Sequence, residues 1–191
     1  MPKINAPTVR EHRSRMEAAL VDAAEEILRE GAGLTVGAVA RRVGIARSSV
    51  YKYVGSVDEL IEAVVARDFP RWVAAVRREV DAAHTPQERV LAYARANIAE
   101  GASGDHRWRV GLARASLSPE ALHRVMAMHG ELEALLAGAV QEMDARHPDL
   151  LQSAVQSLVD TAIRAIDNGK PPTAVTDFTL TAITAVTGAS R

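Results

Sequence analysis

Hydrophobic residues recur along this chain at intervals of three and four, the spacing that places them on one face of an α-helix. The first such stripe predicts a helix from about Thr8 to Glu30 and consists of Met16, Leu20, Ala23, Ile27 and Leu28. We find no convincing run of alternating β-branched residues between hairpin turns. Ala, Leu, Glu and Arg are abundant, and these side chains lose little rotamer freedom in a helix. The pattern therefore predicts an all-α protein.

Capping residues and helix breakers divide the remainder of the chain. Thr35 is expected to cap a short helix that ends at Gly44. Ser56 with Glu59 forms a predicted capping box, and Thr85 precedes a proline at the first position of another helix. Together with the glycine and proline breaks, these signals predict about nine helices. Their approximate ranges are 8–30, 36–43, 47–54, 56–83, 86–100, 106–115, 118–145, 148–168 and 173–187.

Composition and charge narrow the class of protein. The 191 residues include 23 basic and 24 acidic side chains, giving a formal net charge of -1. This balance excludes a globally basic coat for nucleic acid but permits a local basic patch. The absence of cysteine excludes a disulfide scaffold and Cys-ligated zinc. No apolar run approaches the roughly 20 residues that span a bilayer, and the N-terminus has no signal-peptide core. We expect a soluble, cytoplasmic protein with no cofactor, no metal ion and no membrane partner.

Residues 36–53 carry the strongest local signal. Ala40 is small enough to let two helices cross closely, and Gly44 follows four residues later at a predicted turn. Residues 40–53 then contain no acidic side chain and four basic ones, Arg41, Arg42, Arg47 and Lys52. A basic N-terminal arm adds Lys3, Arg10, Arg13 and Arg15. These features predict a helix-turn-helix that binds DNA, although a helical hairpin with a solvated basic face would show the same spacing.

A longer motif surrounds this segment. In order it comprises Ala23-Ala24, Ile27-Leu28, Gly31, Leu34-Thr35-Val36, Val39-Ala40, Val43-Gly44-Ile45 and Tyr51 through Leu60. Over about residues 12–62 the chain thereby resembles the TetR family of bacterial transcription regulators. The resemblance implies a three-helix DNA-binding domain over residues 1–55 and a helical ligand-binding and dimerisation domain over residues 56–191. It also implies a homodimer that binds double-stranded, palindromic operator DNA.

The resemblance also places the candidate DNA-binding residues. Those on the recognition helix are Arg47, Ser48, Ser49, Tyr51, Lys52 and Tyr53, while Thr35 and Arg42 are expected to anchor the DNA backbone. Three positions depart from the family pattern. Ala46 stands where serine usually caps the recognition helix, and valines at 54 and 57 replace an aromatic residue and a lysine. We expect the missing cap to cost about 1 kcal/mol of helix stability.

Two further sets of residues are assigned to the C-terminal half. The last two helices carry apolar stripes and the final one has no charge after Asp177, so they are predicted to form a four-helix dimer interface. The interface residues are Leu151, Val155, Leu158, Ala162, Phe178, Ala182, Ile183 and Val186. The alternative is that both helices close the core of one protomer. Candidate residues for an unknown small-molecule ligand combine apolar bulk with a few polar groups, although each one is individually more typical of a core. They are Phe69, Trp72, Tyr93, Asn97, Trp108, Leu112, Met126 and His129.

The motifs favour a regulator over an enzyme. The sequence contains no nucleophile elbow, P-loop, dinucleotide fingerprint or HExxH motif, and its six histidines are scattered. We therefore predict a TetR-type repressor that leaves its operator when a ligand binds, and no enzymatic activity. The alternative is a helical protein-interaction or structural module that does not bind DNA.

Overall fold

A computed structural model of the protein describes residues 6–103, 108–112 and 115–189. In this part of the chain the secondary structure consists of nine α-helices, without β-strands. They are α1 (Ala6–Arg29), α2 (Val36–Val43), α3 (Arg47–Val50), α4 (Val57–Ala82), α5 (Pro86–Ala102), α6 (Trp108–Leu112), α7 (Pro119–Gln141), α8 (Pro148–Asp167) and α9 (Pro172–Ala189). The predicted all-α class is confirmed.

The predicted caps fix several helix ends. The Thr35 hydroxyl accepts a hydrogen bond from the Ala38 N–H at 3.1 Å, and Gly44 ends α2 in the left-handed conformation with φ 77°. Thr85 and Glu88 form a complete capping box at the start of α5. Because each cap satisfies amide or carbonyl groups that a helix end leaves without partners, it stops the helix at a defined residue.

The cap of α4 differs in one detail from the predicted box. The Glu59 N–H donates to the Ser56 hydroxyl at 3.1 Å, as expected. The Glu59 carboxylate, however, accepts from the Gly55 N–H at 2.6 Å, one residue before the position that the motif predicts. The amide of Gly55 therefore receives the partner that the sequence assigned to Ser56.

Two helices end earlier than predicted. Helix α3 stops at Val50 instead of Val54, and residues 51–53 continue as turns in which the Tyr53 N–H donates to the Val50 carbonyl at 2.9 Å. Helix α7 stops at Gln141 instead of Ala145, because Asp144 adopts a left-handed φ of 53°. The last turn of an α-helix often tightens into bonds between residues three apart, as the Met143 N–H does to the Val140 carbonyl at 3.1 Å. The predicted start of the sixth helix, residue 106, lies outside the described residues, and its predicted end, Ala115, is described but is not helical.

The chain divides into two compact units. The first contains residues 1–68 and 107–126, and the second contains residues 69–106 and 127–191. In the first unit α1 packs against α2 and α6, and α2 packs against α3. Gly111 allows the approach of α6, since a Cβ atom there would overlap the backbone of Leu28. This division reflects packing density, and the proposed functional boundary at residue 55 stays a prediction.

The second unit is built on three helices that contact one another. Helix α5 packs against α8 and α9, and α8 packs against α9. Gly101 is buried on α5, where a Cβ atom would lie 2.9 Å from Cγ1 of Ile163. The absence of a side chain at Gly101 therefore lets α5 and α8 come close. None of the helices described here is long and apolar enough to cross a membrane.

Candidate nucleic-acid interface

Helices α2 and α3 form the core of the candidate interface. Val39 and Val50 are fully buried and Ala40 is almost so, and these three residues hold the two helices together. Gly44 turns the chain between them, and its N–H donates to the Ala40 carbonyl at 2.9 Å. The small residue at position 40 and the left-handed glycine are the two features that a helix-turn-helix requires. The structure thus contains the predicted helix-turn-helix at the predicted residues.

The opposite side of this motif is exposed and basic. Arg41, Arg47 and Lys52 are exposed, and none of them forms an ion pair with another residue that the structure describes. Ser48 is also exposed, and Tyr51 has 51% of its surface accessible. Cations in this state keep all their N–H donors available for an anionic partner. The exposed residues of the motif therefore combine positive charge with polar donors.

The remaining candidate residues are less accessible. Ser49 and Tyr53 are half-buried, so each presents only part of its side chain to solvent. Thr35 is exposed, but its hydroxyl caps α2 through the bond to Ala38. Ala46 has the extended conformation of a cap but provides no side-chain hydrogen bond, as its replacement of serine predicts. Helix α3 therefore starts without the stabilisation that a cap supplies.

Arg42 behaves differently from the other basic residues of the motif. Its Nη1 atom donates to a Glu26 carboxylate oxygen at 2.8 Å, and its Nη2 atom donates to both Glu30 oxygens at 2.9 and 3.0 Å. The hydrogen bonds to Glu30 and Glu26 raise the pKa of Arg42 above its usual value. The guanidinium thus joins the end of α2 to the end of α1. Sequence reasoning missed this ion pair, because positions 26, 30 and 42 belong to different helices.

The basic N-terminal arm is partly neutralised within α1. Arg13 pairs with Glu17 at 2.8 Å, and Arg15 lies 3.7 Å from Glu11. Arg10 is exposed. Lys3 lies outside the described residues. The arm as described therefore contributes less free positive charge than its sequence indicates.

The first half of α4 forms ion pairs and hydrogen bonds with other segments of the first unit. Arg67 binds Asp22 of α1 at 2.5 Å and also pairs with Glu25 of the same helix. Ser118, which directly precedes α7, and Arg124 of α7 provide a second set of contacts to α4. The Asp58 carboxylate accepts a hydrogen bond from the Ser118 hydroxyl at 2.6 Å. Arg124 forms a bidentate salt bridge with Glu62, with N···O distances of 2.7 and 2.8 Å. These partners are separated by 42 to 62 residues in the chain, so no local sequence pattern predicts their contacts.

In the second unit, three candidate ligand residues form an aromatic cluster. The ring centroid of Phe69 lies 4.5 Å from that of His129 and 6.1 Å from that of Trp72. Phe69 and Trp72 are buried, while His129 is half-buried. The cluster connects the second half of α4 with α7.

A chain of hydrogen bonds continues from this cluster. Trp72 Nε1 donates to Asn97 Oδ1 at 2.9 Å, and Asn97 Nδ2 donates to the Tyr93 carbonyl at 2.8 Å. The Tyr93 hydroxyl donates to Gln156 Oε1 at 2.7 Å. Burial raises the pKa of Tyr93, and the carboxylates of Asp160 and Glu133 raise it further. The polar groups assigned to a ligand are therefore already bonded to one another, which is the arrangement of a satisfied core.

The other three candidate ligand residues belong to the first unit. Trp108 is buried on α6, Leu112 is half-buried on the same helix, and Met126 on α7 is 54% exposed. Together with the five residues just described, they do not form one continuous cluster within either unit. The assignment of all eight to a single pocket stays a prediction.

The residues predicted to form the dimer interface fall into two groups. Leu151, Val155, Ala162 and Ile183 are buried within the second unit, so they close the core of the protomer, as the alternative interpretation states. Leu158, Ala182 and Val186 are half-buried, and Phe178 is 73% exposed. Leu150 of α8, which the sequence analysis did not single out, is 69% exposed. An outward apolar surface therefore remains on both helices after the core is filled.

No protein-family model and no curated protein matches the sequence. Solved structures do match. SCO4454, a TetR-family transcriptional regulator from Streptomyces coelicolor, superposes with a TM-score of 0.73 at 16% identity, covering 97% of this chain and 96% of that one.

Two further structures agree over similar lengths. The transcriptional regulator FadR from Bacillus subtilis, in complex with stearoyl-CoA, gives a TM-score of 0.72 at 14% identity, with 87% of this chain and 96% of that chain covered. AibR, in complex with isovaleryl coenzyme A and operator DNA, gives 0.71 at 15% identity, with 86% and 95% covered. The architecture is shared along almost the whole length of these proteins. This chain therefore has the fold of the TetR-family transcriptional regulators.

Proposed function

We propose that this protein is a TetR-type, DNA-binding transcriptional regulator. The observation that carries the proposal is the exposed basic side of the helix-turn-helix, where Arg41, Arg47 and Lys52 make no ion pair with other described residues. Such a surface costs stability through self-repulsion unless an anion covers it. The complex of AibR with operator DNA supports DNA as that anion. We infer that the protein acts in the cytoplasm, without enzymatic activity or a cofactor.

The side chains have different proposed roles. Arg47, in the single turn of α3, offers the paired donors that match guanine O6 and N7 in the major groove. Arg41, Lys52 and Tyr51 have exposed donors suited to phosphate oxygens, which fix orientation without reading sequence. Ser48 is exposed beside Arg47 and suits either partner. In this arrangement Arg47 reads a base, and several other residues bind the DNA backbone.

The experiment uses a duplex selected from a random library by the wild-type protein. Arg47→Ala is expected to weaken its binding by about 1–3 kcal/mol and to relax specificity at one base pair. Lys52→Ala is expected to weaken selected and scrambled duplexes alike and to lower the salt slope by about 1 per protomer. Arg95→Ala, at an exposed arginine of α5, serves as the control. Failure of the wild type to retard any duplex would favour a protein-interaction module instead.

We further propose that the protein is a homodimer joined through the outer surfaces of α8 and α9. Leu150 and Phe178 expose large apolar side chains there, and Phe178 belongs to a helix with no charged residue after Asp177. A two-fold axis would bring equivalent surfaces together and bury them twice. It would also present two recognition helices, which must lie roughly 34–36 Å apart to enter successive major grooves. A palindromic operator follows from that symmetry.

The regulatory part of the proposal is that a small molecule binds the second unit and releases the DNA. The aromatic cluster of Phe69, Trp72 and His129 supplies apolar contact area of the kind found in ligand sites. FadR was solved with stearoyl-CoA and AibR with isovaleryl coenzyme A, so these two acyl thioesters are the first probes to use. A ligand that binds the DNA-free form more tightly makes the protein a repressor.

A further inference from the structure

Arg42 occupies an unusual place in the helix-turn-helix. It lies in the last turn of α2, two residues before Gly44 turns the chain toward α3. Its two terminal nitrogens form three contacts of 2.8 to 3.0 Å, one with Glu26 and two with Glu30. Glu26 lies in the last turn of α1 and Glu30 directly follows the helix, where its N–H donates to the Glu26 carbonyl at 3.0 Å, so the two residues lie one helical turn apart. We call the three residues the α1–α2 clamp.

The neighbouring cations provide the contrast. Arg41, next in sequence, is exposed and forms no ion pair with any described residue, and the same holds for Arg47 and Lys52. Arg42 alone among the four basic residues of residues 40–53 has its charge compensated within the described structure. A phosphate would have to compete with two carboxylates for this guanidinium.

The clamp acts at the point that sets the orientation of α3. The two terminal nitrogens of the guanidinium bind two different carboxylates, Nη1 to Glu26 and Nη2 to Glu30, so the planar group is fixed in direction as well as in distance. The end of α2 is thereby tied to α1, and α3 follows after only three residues. Helix α3 has a single turn and no capping side chain of its own, so its direction depends on the chain that leads into it.

We propose that Arg42 is a positioning residue for the recognition helix, acting through Glu26 and Glu30, and that it does not contact DNA. This inference rests on the proposed function, and it replaces the backbone anchor that the sequence predicts at this position. Arg42 holds the geometry in which Arg47 reads a base. Arg41, its neighbour, supplies the contact with the DNA backbone.

The test compares Arg42→Gln with the matched control Arg41→Gln on a selected duplex and a scrambled one. Loss of positioning lowers affinity only where base contacts matter, so Arg42→Gln should lower affinity for the selected duplex about fivefold and leave the scrambled duplex almost unchanged. Its salt slope should stay that of the wild type. Arg41→Gln should weaken both duplexes and reduce the slope by about 0.9 per protomer.

A second set of variants tests the route through the glutamates. Glu26→Gln with Glu30→Gln should reduce the ratio of selected to scrambled binding as Arg42→Gln does, and combining all three changes should cost nothing more. Arg42→Lys, which keeps the charge and loses the fork, should fail to restore the ratio. Equal weakening of both duplexes by Arg42→Gln, a reduced salt slope, or restoration by Arg42→Lys would each overturn the inference.

Thermal unfolding without DNA separates this inference from the proposed function. Arg42→Gln and the double glutamine variant should lower the melting temperature by similar amounts, and their effects should not add. If the wild type binds no duplex while this non-additivity is found, the clamp exists and the proposed function fails. Additive unfolding effects would show that the clamp itself does not form.

Discussion

At the scale of single residues, the second unit depends on polar side chains that satisfy one another. Asn97 accepts from Trp72 and donates to the Tyr93 carbonyl, and the Tyr93 hydroxyl donates to Gln156. A buried polar group without such a partner costs about 1–3 kcal/mol. The hydrogen-bond network therefore restricts the side chains that are tolerated at these positions more strongly than apolar packing alone would.

Tyr93 gives this network a pH dependence. Burial raises the pKa of its phenol, and the charges of Asp160 and Glu133 add to the effect, so the folded protein keeps a proton that the unfolded chain releases near pH 10. Stability should therefore be unaffected below about pH 10 and fall above it by about 1.4 kcal/mol per pH unit. Denaturant unfolding at increasing pH, followed by circular dichroism, measures this slope.

The controls for Tyr93 are the other two tyrosines of the chain. In Tyr93→Phe the alkaline loss of stability should become shallower, whereas Tyr51→Phe should leave it as in the wild type, because Tyr51 is exposed. The ultraviolet absorbance of tyrosinate should show a step that occurs only with unfolding and that is absent from Tyr93→Phe. Ionisation of Tyr93 in the folded protein would contradict the assignment.

At the scale of elements, α9 has two apolar sides with different roles. Ile183 is fully buried in the second unit, while Phe178 leaves 73% of its surface accessible. The threonines between them return their hydroxyls to the helix, as Thr181 does to the Asp177 carbonyl at 2.8 Å. A helix with these properties contributes to the core of the second unit and still leaves an uncharged apolar surface exposed.

Phe178→Glu tests the proposed dimer. The new carboxylate is solvated in a monomer, but in the proposed interface it is buried without a partner. Burial of an unpaired charge costs on the order of several kcal/mol per site. Light scattering should give half the wild-type mass, with an unchanged helical spectrum. Leu122→Glu, at another exposed large apolar residue, on α7, is the control and should remain dimeric.

Ile183→Glu does not provide the same test, because it places the charge in the core of the protomer. This substitution is expected to lower the free energy of unfolding of the second unit by several kcal/mol. Loss of the dimer would then be a consequence of unfolding. A Phe178→Glu protein that stays dimeric and folded would place the interface elsewhere.

At the scale of the whole molecule, two helices have residues in both compact units. The division falls between Asp68 and Phe69 within α4, and between Met126 and Ala127 within α7. Pro70, just past the first division, has no N–H to donate to the carbonyl four residues earlier. A regulator of the proposed kind needs coupling along such shared elements, since its ligand and its operator occupy different parts of the chain.

The coupling must be reciprocal. If stearoyl-CoA or isovaleryl coenzyme A lowers operator affinity by a given factor, saturating operator must lower affinity for that compound by the same factor, typically 5- to 150-fold. Fluorescence of Trp72 and Trp108, the two tryptophans of the chain, reports binding directly. Trp72→Phe should alter ligand affinity if the aromatic cluster is the site. Release of DNA without any change in either tryptophan signal would exclude this cluster.

Local signals in the sequence determined most of the elements. Thr35, Gly44 and Thr85 set helix ends through bonds to residues at most four positions away, so their effects could be predicted without knowledge of packing. The same is true of the helix-turn-helix, in which Ala40 and Gly44 lie within one motif. The early ends of α3 and α7 show where local signals become weak.

Tertiary structure alone decided which partner each charge and each apolar face received. Arg41 and Arg42 are identical neighbours in sequence, yet only Arg42 meets Glu26 and Glu30 among the described residues. Ile183 and Phe178 both fit an apolar stripe on α9, yet one is buried and the other is exposed. These outcomes depend on contacts between helices far apart in the chain, and the periodicity of a helix defines its faces without specifying what covers them.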